Sequence, residues 1–188
     1  MRIIIAEDEA LIRMDLKEML EEAGHEVAGE APDGQVAVEL AREKRPDLVI
    51  MDVKMPRLDG LAAAKIIDKE KLAPVLMVTA FSQKDLVEEA AKAGAMGYVV
   101  KPFDRNDLYP AMELAVARYE EMRLLAEQVS ELKDQLEVRK LVERAKGILM
   151  ARDGIGEAEA FERMRKASMD KRVSLAKIAE AIVTAEKV

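Results

Sequence analysis

The 188-residue sequence contains no cysteine, no tryptophan and a single histidine, His25. The lack of cysteine excludes disulfide frameworks, cysteine metal sites and a cysteine nucleophile. One histidine cannot build a multi-histidine metal centre. No apolar stretch approaches the ~20 residues that a membrane span requires, and the N-terminal residues do not resemble a signal peptide. We therefore expect a soluble, cytoplasmic protein.

Proline and glycine divide the chain into two parts. All six prolines lie at or before Pro110, and residues 111–146 contain neither proline nor glycine. In residues 1–118, short apolar runs alternate with segments of helical spacing, which is typical of parallel strands covered on both faces. This pattern predicts an α/β domain with a doubly wound, five-stranded parallel sheet. The residues placed to cap helices are Asp33, Ser82, Asp104 and Ser174.

A long helix with a heptad pattern follows the predicted sheet. Its apolar residues step by three and four positions, namely Met122, Leu125, Val129, Leu132 and Leu136. This spacing predicts a coiled-coil linker over residues 119–138 and dimerisation through these five side chains. An amphipathic helix lying on its own domain is the alternative. Three further apolar stripes predict a small three-helix bundle over residues 139–188, its first helix continuous with the linker.

The charge of the chain is unevenly distributed. The whole chain has a net charge of −7, yet residues 139–188 carry 12 basic and 8 acidic side chains. A basic end on an acidic protein favours a polyanionic partner for that end. An ordinary solvated surface is the alternative interpretation.

Reactive side chains stand where the predicted strands end. They are Glu7 and Asp8 after the first strand, Asp52 at the third, Thr79 at the fourth and Lys101 after the fifth. Ligand sites of open parallel sheets lie at the carboxyl ends of the strands, so we expect these groups to share one cleft. Clustered carboxylates repel one another unless a cation joins them, and oxygen ligands favour Mg²⁺. Asp52 would then be placed to attack a phosphorus atom. Acidic residues that merely end strands at the surface are the alternative.

Four segments resemble the motifs of the receiver domain of two-component response regulators. They are Ile-Ile-Ala-Glu-Asp-Glu at 4–9, Met-Asp-Val-Lys-Met-Pro-Arg-Leu-Asp-Gly at 51–60, Val-Thr-Ala at 78–80 and Lys-Pro-Phe at 101–103. The resemblance covers residues 1–118. It implies a flavodoxin-like fold, a Mg²⁺ cofactor and a sensor histidine kinase as partner.

The same resemblance implies a role for individual residues. Asp52 is the expected phosphoacceptor. The expected metal ligands are Glu7, Asp8, Asp52 and the backbone carbonyl of Lys54. The residues expected to contact the phosphoryl group are Thr79 and Lys101. Tyr98 matches an aromatic residue that turns inward on activation, and the Lys101–Pro102 bond matches one that is cis in the family.

Residues 125–188 resemble the ANTAR domain, an RNA-binding antiterminator module. The resemblance rests on residues 144–150, on residues 157–169 and on the helix that follows. It implies binding to hairpin loops of transcripts, often as a dimer. The candidate RNA contacts are Arg144, Lys146, Arg165, Lys166, Lys171 and Arg172. Phe161 could stack on a base, but its helical spacing favours a place in the core.

These features together predict a phosphorylation-controlled, RNA-binding regulator of transcription termination rather than an enzyme. The expected partners are a sensor histidine kinase, RNA hairpins and, on phosphorylation, a second copy of the chain. We expect no membrane or DNA partner. Residues 174–182 resemble the first helix of a helix-turn-helix, but we expect no recognition helix after them. The alternatives are a DNA-binding response regulator and a regulator that acts through coiled-coil dimerisation alone.

Overall fold

The computed structural model of the chain describes residues 1–80 and 84–186. It divides into two compact units, Met1–Arg123 and Leu124–Val188. The predicted helix cap at Ser82 lies outside the described residues. Within the described ranges, no helix is both long enough and apolar enough to cross a membrane.

A five-stranded parallel sheet forms the centre of the first unit. Its strands are β1 (Arg2–Ala6), β2 (Glu26–Ala31), β3 (Leu48–Asp52), β4 (Val75–Thr79) and β5 (Gly97–Val100). Their order in the sheet is β2-β1-β3-β4-β5, and every neighbouring pair is parallel. Because parallel strands point the same way, all five carboxyl ends lie at one edge. The predicted doubly wound sheet is confirmed.

Seven helices are found in the described residues. They are α1 (Ala10–Glu22), α2 (Gly34–Lys44), α3 (Gly60–Lys69), α4 (Lys84–Lys92), α5 (Arg105–Asp153), α6 (Glu157–Lys171) and α7 (Leu175–Ala185). Three of the predicted caps are present. The Asp33 carboxylate accepts from the Val36 N–H at 3.0 Å, Asp104 accepts from the Asn106 N–H at 2.7 Å, and Ser174 caps α7. The long helix α5 contains the predicted linker and the first helix of the predicted bundle.

Two apolar layers cover the two faces of the sheet. Alternate strand residues point into opposite layers, so Ile4 belongs to one layer while Ile3 and Ile5 belong to the other. Helices α2, α3 and α4 cover the first layer, and α1 with the start of α5 covers the second. Burial on both faces explains the unbroken apolar runs of β1, β3 and β4. The edge strand β2 is less buried and carries two glutamates.

The second unit packs three helical segments around a small core. The buried residues come from the end of α5, from α6 and from α7, namely Val142, Ala145, Leu149, Ala160, Met164, Ile178, Ala179 and Val183. Phe161 is not among them, because it is 38% exposed. The prediction that Phe161 lies in the core is therefore wrong. The residue before it, Ala160, faces the core instead, and one helical position turns a side chain by about 100°.

Candidate functional site

Three carboxylates meet beyond the ends of β1 and β3. Glu7 and Asp8 follow β1, Asp52 ends β3, and these two strands are neighbours. One oxygen from each carboxylate lies within 4.8 Å of the others. Glu7 is 1% exposed and Asp52 is 8% exposed, whereas Asp8 is open to solvent. The structure therefore brings together the three side chains that the sequence placed at strand ends.

Lys101 enters the same cleft from the end of β5. Its Nζ atom lies 2.7 Å from Glu7 Oε2 and 3.6 Å from Asp52 Oδ1. The backbone N–H of Lys101 donates to the Thr79 carbonyl at 2.7 Å, which ties the residue to the end of β4. The Lys101–Pro102 bond is cis, as the resemblance implied. One ammonium group therefore faces two buried carboxylates.

The cleft opposes the ionisation of its own carboxyl groups. Burial raises the pKa of Glu7, and the hydrogen bond from Lys101 only partly offsets this while the charge of Asp52 adds to it. Burial also raises the pKa of Asp52, against the opposing effect of Lys101 and with a contribution from Asp8. A divalent cation would relieve this repulsion. The available donors are all oxygen atoms, a set that fits Mg²⁺.

The remaining receiver candidates occupy different positions around the cleft. Thr79 ends β4 and is buried. Lys54 lies in the loop between β3 and α3, which the Gly60 N–H closes by donating to the Val53 carbonyl at 2.9 Å. A Cβ atom at Gly60 would lie 1.9 Å from the Asp52 carbonyl oxygen, so this loop requires glycine there. Tyr98, on β5, is 44% exposed and thus not turned inward.

Sequence reasoning missed one pair of residues near the cleft. Asp33, taken only as a helix cap, is fully buried and also forms an ion pair with Arg57. Arg57 belongs to the loop that carries Lys54 and lies 24 residues from Asp33 along the chain. No spacing rule links two residues so far apart, so the sequence offered no signal for this contact.

Lys146, a predicted RNA contact, is buried in the second unit. Its Nζ atom lies 2.8 Å from Glu143 Oε1 and 2.6 Å from Glu157 Oε1. Hydrogen bonds to Glu143 and Glu157 raise the pKa of Lys146. Two carboxylates therefore already hold this ammonium group, and they join the end of α5 to the start of α6. This placement does not favour direct contact with RNA.

The other basic candidates lie on the surface of the second unit. Exposed side chains are found at Arg144, Arg165, Lys166, Lys171 and Arg172. Phe161 stands four residues before Arg165 on α6, so both side chains lie on one face of that helix. Phe161 is also the only aromatic residue after Tyr119 in the sequence. The face therefore combines an exposed ring with positive charge.

The five heptad residues of α5 are all exposed. Their exposed fractions range from 49% to 63% for Met122, Leu125, Val129, Leu132 and Leu136. Each of these side chains is therefore exposed within the unit that contains it. Contiguous exposed apolar residues on a helix are typical of a surface that binds a partner.

Mg²⁺ binding to the carboxylate cluster is expected to weaken as the pH falls. Burial raises the pKa of both Glu7 and Asp52, so protons compete with the metal at a higher pH than in an ordinary carboxylate site. Above the raised pKa values both groups are ionised and affinity is maximal. Below them the affinity should fall about tenfold per pH unit for each proton that must leave. Calorimetric titration with Mg²⁺ at several pH values would measure this dependence.

The control for this titration is Asp52→Asn, which removes one of the two titrating groups. This variant should bind Mg²⁺ more weakly and with a shallower dependence on pH. An affinity of the unmodified protein that stays constant into the acidic range would contradict the raised pKa values.

Two family models match the two ends of the chain. The response regulator receiver domain matches residues 3–113, and the ANTAR domain matches residues 130–183. The transcriptional regulatory protein PdtaR of Mycobacterium tuberculosis is 57% identical over 182 residues, which cover 97% of this chain and 89% of that protein. The chemotaxis protein CheY of Thermotoga maritima is 43% identical over 112 residues, which cover 59% of this chain and 93% of CheY.

Solved structures agree with the sequence comparisons over the first unit. The CheX–CheY–BeF₃–Mg²⁺ complex from Borrelia burgdorferi matches with a TM-score of 0.56 and 26% identity. The match covers 58% of this chain and 84% of that chain. Both the receiver match and the full-length similarity to PdtaR extend beyond half of the sequence. The chain is therefore a response regulator, with an N-terminal receiver domain and a C-terminal ANTAR domain.

Proposed function

We propose that this response regulator binds RNA hairpins and controls transcription antitermination when Asp52 is phosphorylated. The observation that carries the proposal is the cluster of Glu7, Asp8 and Asp52 facing Lys101, in a chain that also contains an ANTAR domain. In this proposal residues 1–118 form the receiver, residues 119–138 the linker and residues 139–188 the RNA-binding domain. The protein then acts as a regulator and not as an enzyme.

Each receiver residue has a separate proposed role in accepting a phosphoryl group. When bound by Glu7, Asp8, Asp52 and the Lys54 carbonyl, Mg²⁺ would neutralise the cluster and hold phosphate oxygens. The Oδ1 atom of Asp52 accepts from the Val53 N–H at 2.8 Å, which orients the carboxylate. One of its oxygens would form the bond to phosphorus as the bond from phosphorus to the donor breaks. Lys101 is a point charge for a phosphate oxygen, and Thr79 offers a hydroxyl group. A phosphorylated sensor histidine kinase is the proposed donor.

The phosphoryl group would change the interactions or position of three residues, Lys101, Thr79 and Tyr98. Lys101 has Glu7 and Asp52 as its neighbours, and new phosphate oxygens would compete for its ammonium group. Thr79 and Tyr98 lie on the neighbouring strands β4 and β5. A Thr79 hydroxyl drawn toward the phosphate would leave space for the exposed Tyr98 ring to turn inward. This movement is the proposed signal from the receiver.

Dimerisation through the linker is the proposed response to that signal. The heptad stripe from Met122 to Leu136 is exposed and spans about two repeats, a length that is marginal for a coiled coil on its own. A marginal association is one that a small bias from the receiver can shift. A dimer would also present two ANTAR domains, and two linked sites bind a two-hairpin RNA more tightly than one hairpin.

The exposed face of α6 supports RNA as the ligand of the ANTAR domain. Arg165 and Lys166 are exposed and can reach phosphate groups, the first by exchanging its exposed ion pair with Glu162, and the nearby Phe161 ring is exposed. Unpaired RNA bases are commonly bound by stacking on aromatic rings, whereas paired bases are hidden in the A-form groove. We therefore propose that Phe161 stacks on a base of a hairpin loop while the basic residues contact the backbone.

Charge removal on α6 is expected to weaken the binding of hairpin RNA. Arg165→Gln combined with Lys166→Gln should cost about 1 kcal/mol or more in sum, and should reduce the salt dependence by roughly one phosphate contact per residue. Both side chains are exposed, so the melting temperature should stay unchanged. Fluorescence anisotropy of a labelled hairpin, a labelled two-hairpin RNA and duplex DNA at matched salt would measure these affinities.

Lys146→Gln serves as the contrasting variant in this experiment. It removes the ammonium group held by Glu143 and Glu157, so it should lower the melting temperature of the ANTAR domain. Equal affinity for hairpin RNA and duplex DNA would contradict the proposed specificity. Dimerisation without any nucleic-acid binding would favour the interaction-only alternative.

A further inference from the structure

The loop between β3 and α3, residues 53–59, is fastened to the start of α2. The Gly34 N–H, at the first position of α2, donates to the Leu58 carbonyl at 3.1 Å. A Cβ atom at Gly34 would lie 2.3 Å from that same carbonyl oxygen, so this approach of the two backbones requires glycine at position 34. The loop that carries Lys54 is therefore held from outside as well as by its own hydrogen bonds.

An ion pair between Arg57 and Asp33 forms the second attachment. Asp33 is fully buried, and its Oδ1 atom accepts from the Val36 N–H at 3.0 Å. Its Oδ2 atom accepts from Arg57 Nη2. A buried carboxylate without a partner for each oxygen would be strongly unfavourable. Arg57 therefore compensates the part of the Asp33 charge that the helix cap leaves unpaired.

The backbone of Arg57 is itself unusual. Its φ angle is 63°, in the left-handed region that glycine and asparagine adopt more readily than arginine. Glycine at this position would satisfy the backbone but could not reach Asp33. Arginine at this position therefore combines a glycine-like backbone with a side chain that reaches Asp33.

We propose that the Arg57–Asp33 pair is a positioning device for the metal and phosphoryl site. Arg57 lies three residues after Lys54 and five after Asp52, on a loop closed by the Gly60–Val53 hydrogen bond. Fixing Arg57 against α2 fixes the course of that loop, and with it the Lys54 carbonyl. The inference rests on the proposed function, because it requires Mg²⁺ to bind at this cluster.

The test compares Arg57→Gly, Arg57→Lys and Asp33→Asn in the full-length protein. Arg57→Gly accepts the left-handed backbone and removes the ion pair, but it also loosens the loop. Asp33→Asn weakens the pair without changing any residue of the loop. Arg42→Gln is the matched control, because Arg42, near the C-terminal end of α2, forms an ion pair with Glu70, the C-cap of α3, at the surface. The measurements are the dissociation constant of Mg²⁺ by calorimetry, the rate of phosphorylation by acetyl phosphate as a function of its concentration, and the melting temperature in EDTA.

Arg57→Gly is expected to weaken Mg²⁺ binding roughly tenfold. Loss of a residue that supports metal ligands typically lowers metal affinity by roughly 10- to 100-fold, and this is the lower end of that range. Its maximal rate of phosphorylation should fall with it. Arg57→Lys should restore part of the affinity, Asp33→Asn should resemble Arg57→Gly, and Arg42→Gln should match the unmodified protein.

Two results would overturn the inference in different ways. Wild-type affinity for Mg²⁺ in both Arg57→Gly and Asp33→Asn, even with a lower melting temperature, would make the pair a structural contact only. The proposed function would survive that result. Absence of Mg²⁺ binding in the unmodified protein would instead remove the proposed function, and the inference with it. If Arg57→Gly does not fold, Asp33→Asn decides the question alone, because asparagine keeps the helix cap.

Discussion

Asp52→Asn is expected to abolish phosphorylation of the protein by acetyl phosphate. The amide has no charged oxygen to attack phosphorus, and the change also removes one of the three carboxylates that lie within 4.8 Å of one another. Intact mass spectrometry after incubation with acetyl phosphate and Mg²⁺ should show a phosphoryl adduct on the unmodified chain only. Because three clustered carboxylates need a cation to accept a further anion, EDTA should prevent the adduct as completely as the substitution does.

Asp59→Asn is a matched control for this experiment. Asp59 caps α3 by accepting from the Ala62 N–H at 2.7 Å, and asparagine caps helices as well as aspartate does. This variant should therefore gain the adduct at the normal rate. An equal mass gain in Asp52→Asn would mean that another side chain is the acceptor, and an unchanged rate in EDTA would exclude a metal-dependent mechanism.

Leu125→Glu combined with Leu132→Glu is expected to prevent dimerisation of the phosphorylated protein. Both side chains are exposed in the chain and would become buried in a coiled coil, where four carboxylates per dimer would face an apolar seam. With only about two heptads available, the association should weaken by at least ~100-fold, or about 2.7 kcal/mol. Light scattering with and without beryllofluoride and Mg²⁺ would measure the change in mass.

The control variant for this experiment places the same two charges on α5 but outside the heptad stripe. Ser130→Glu combined with Val138→Glu adds two carboxylates at exposed positions outside the heptad stripe. This variant should dimerise normally when activated. If the variant with Leu125→Glu and Leu132→Glu also dimerises normally, a different surface joins the two chains.

The sheet and the cleft could be predicted because local patterns determine them. Continuous apolar runs require burial on both faces, and parallel strands bring their carboxyl ends to one edge. Glu7, Asp52 and Lys101 are far apart in the sequence, yet each is placed by the end of its own strand. The topology therefore supplied the long-range contacts that spacing alone cannot give.

Local sequence patterns could not predict contacts between side chains of different helices or strands. The Lys146–Glu157 pair crosses the turn between α5 and α6, and a lysine in a basic segment looks like any surface cation until that turn is known. Phe161 and its neighbour Ala160 both belong to the apolar stripe of α6, although their side chains point about 100° apart around the helix. The small Ala160 side chain lets the helices of the second unit pack closely. The helical period of the sequence does not show whether Ala160 or Phe161 faces the core.

The strand order also bears on how the protein becomes competent during synthesis. Strand β1 is made first but pairs with both β2 and β3, so it cannot complete its pairing until β3 has left the ribosome. The cleft is complete only after Thr79 and Lys101 have also been synthesised, and Lys101 is the last of its residues. A nascent chain that ends before Lys101 would expose Glu7 and Asp52 without their counter-charge. Phosphoryl acceptance should therefore begin only after β5 has emerged, while the residues of the ANTAR domain are still being translated.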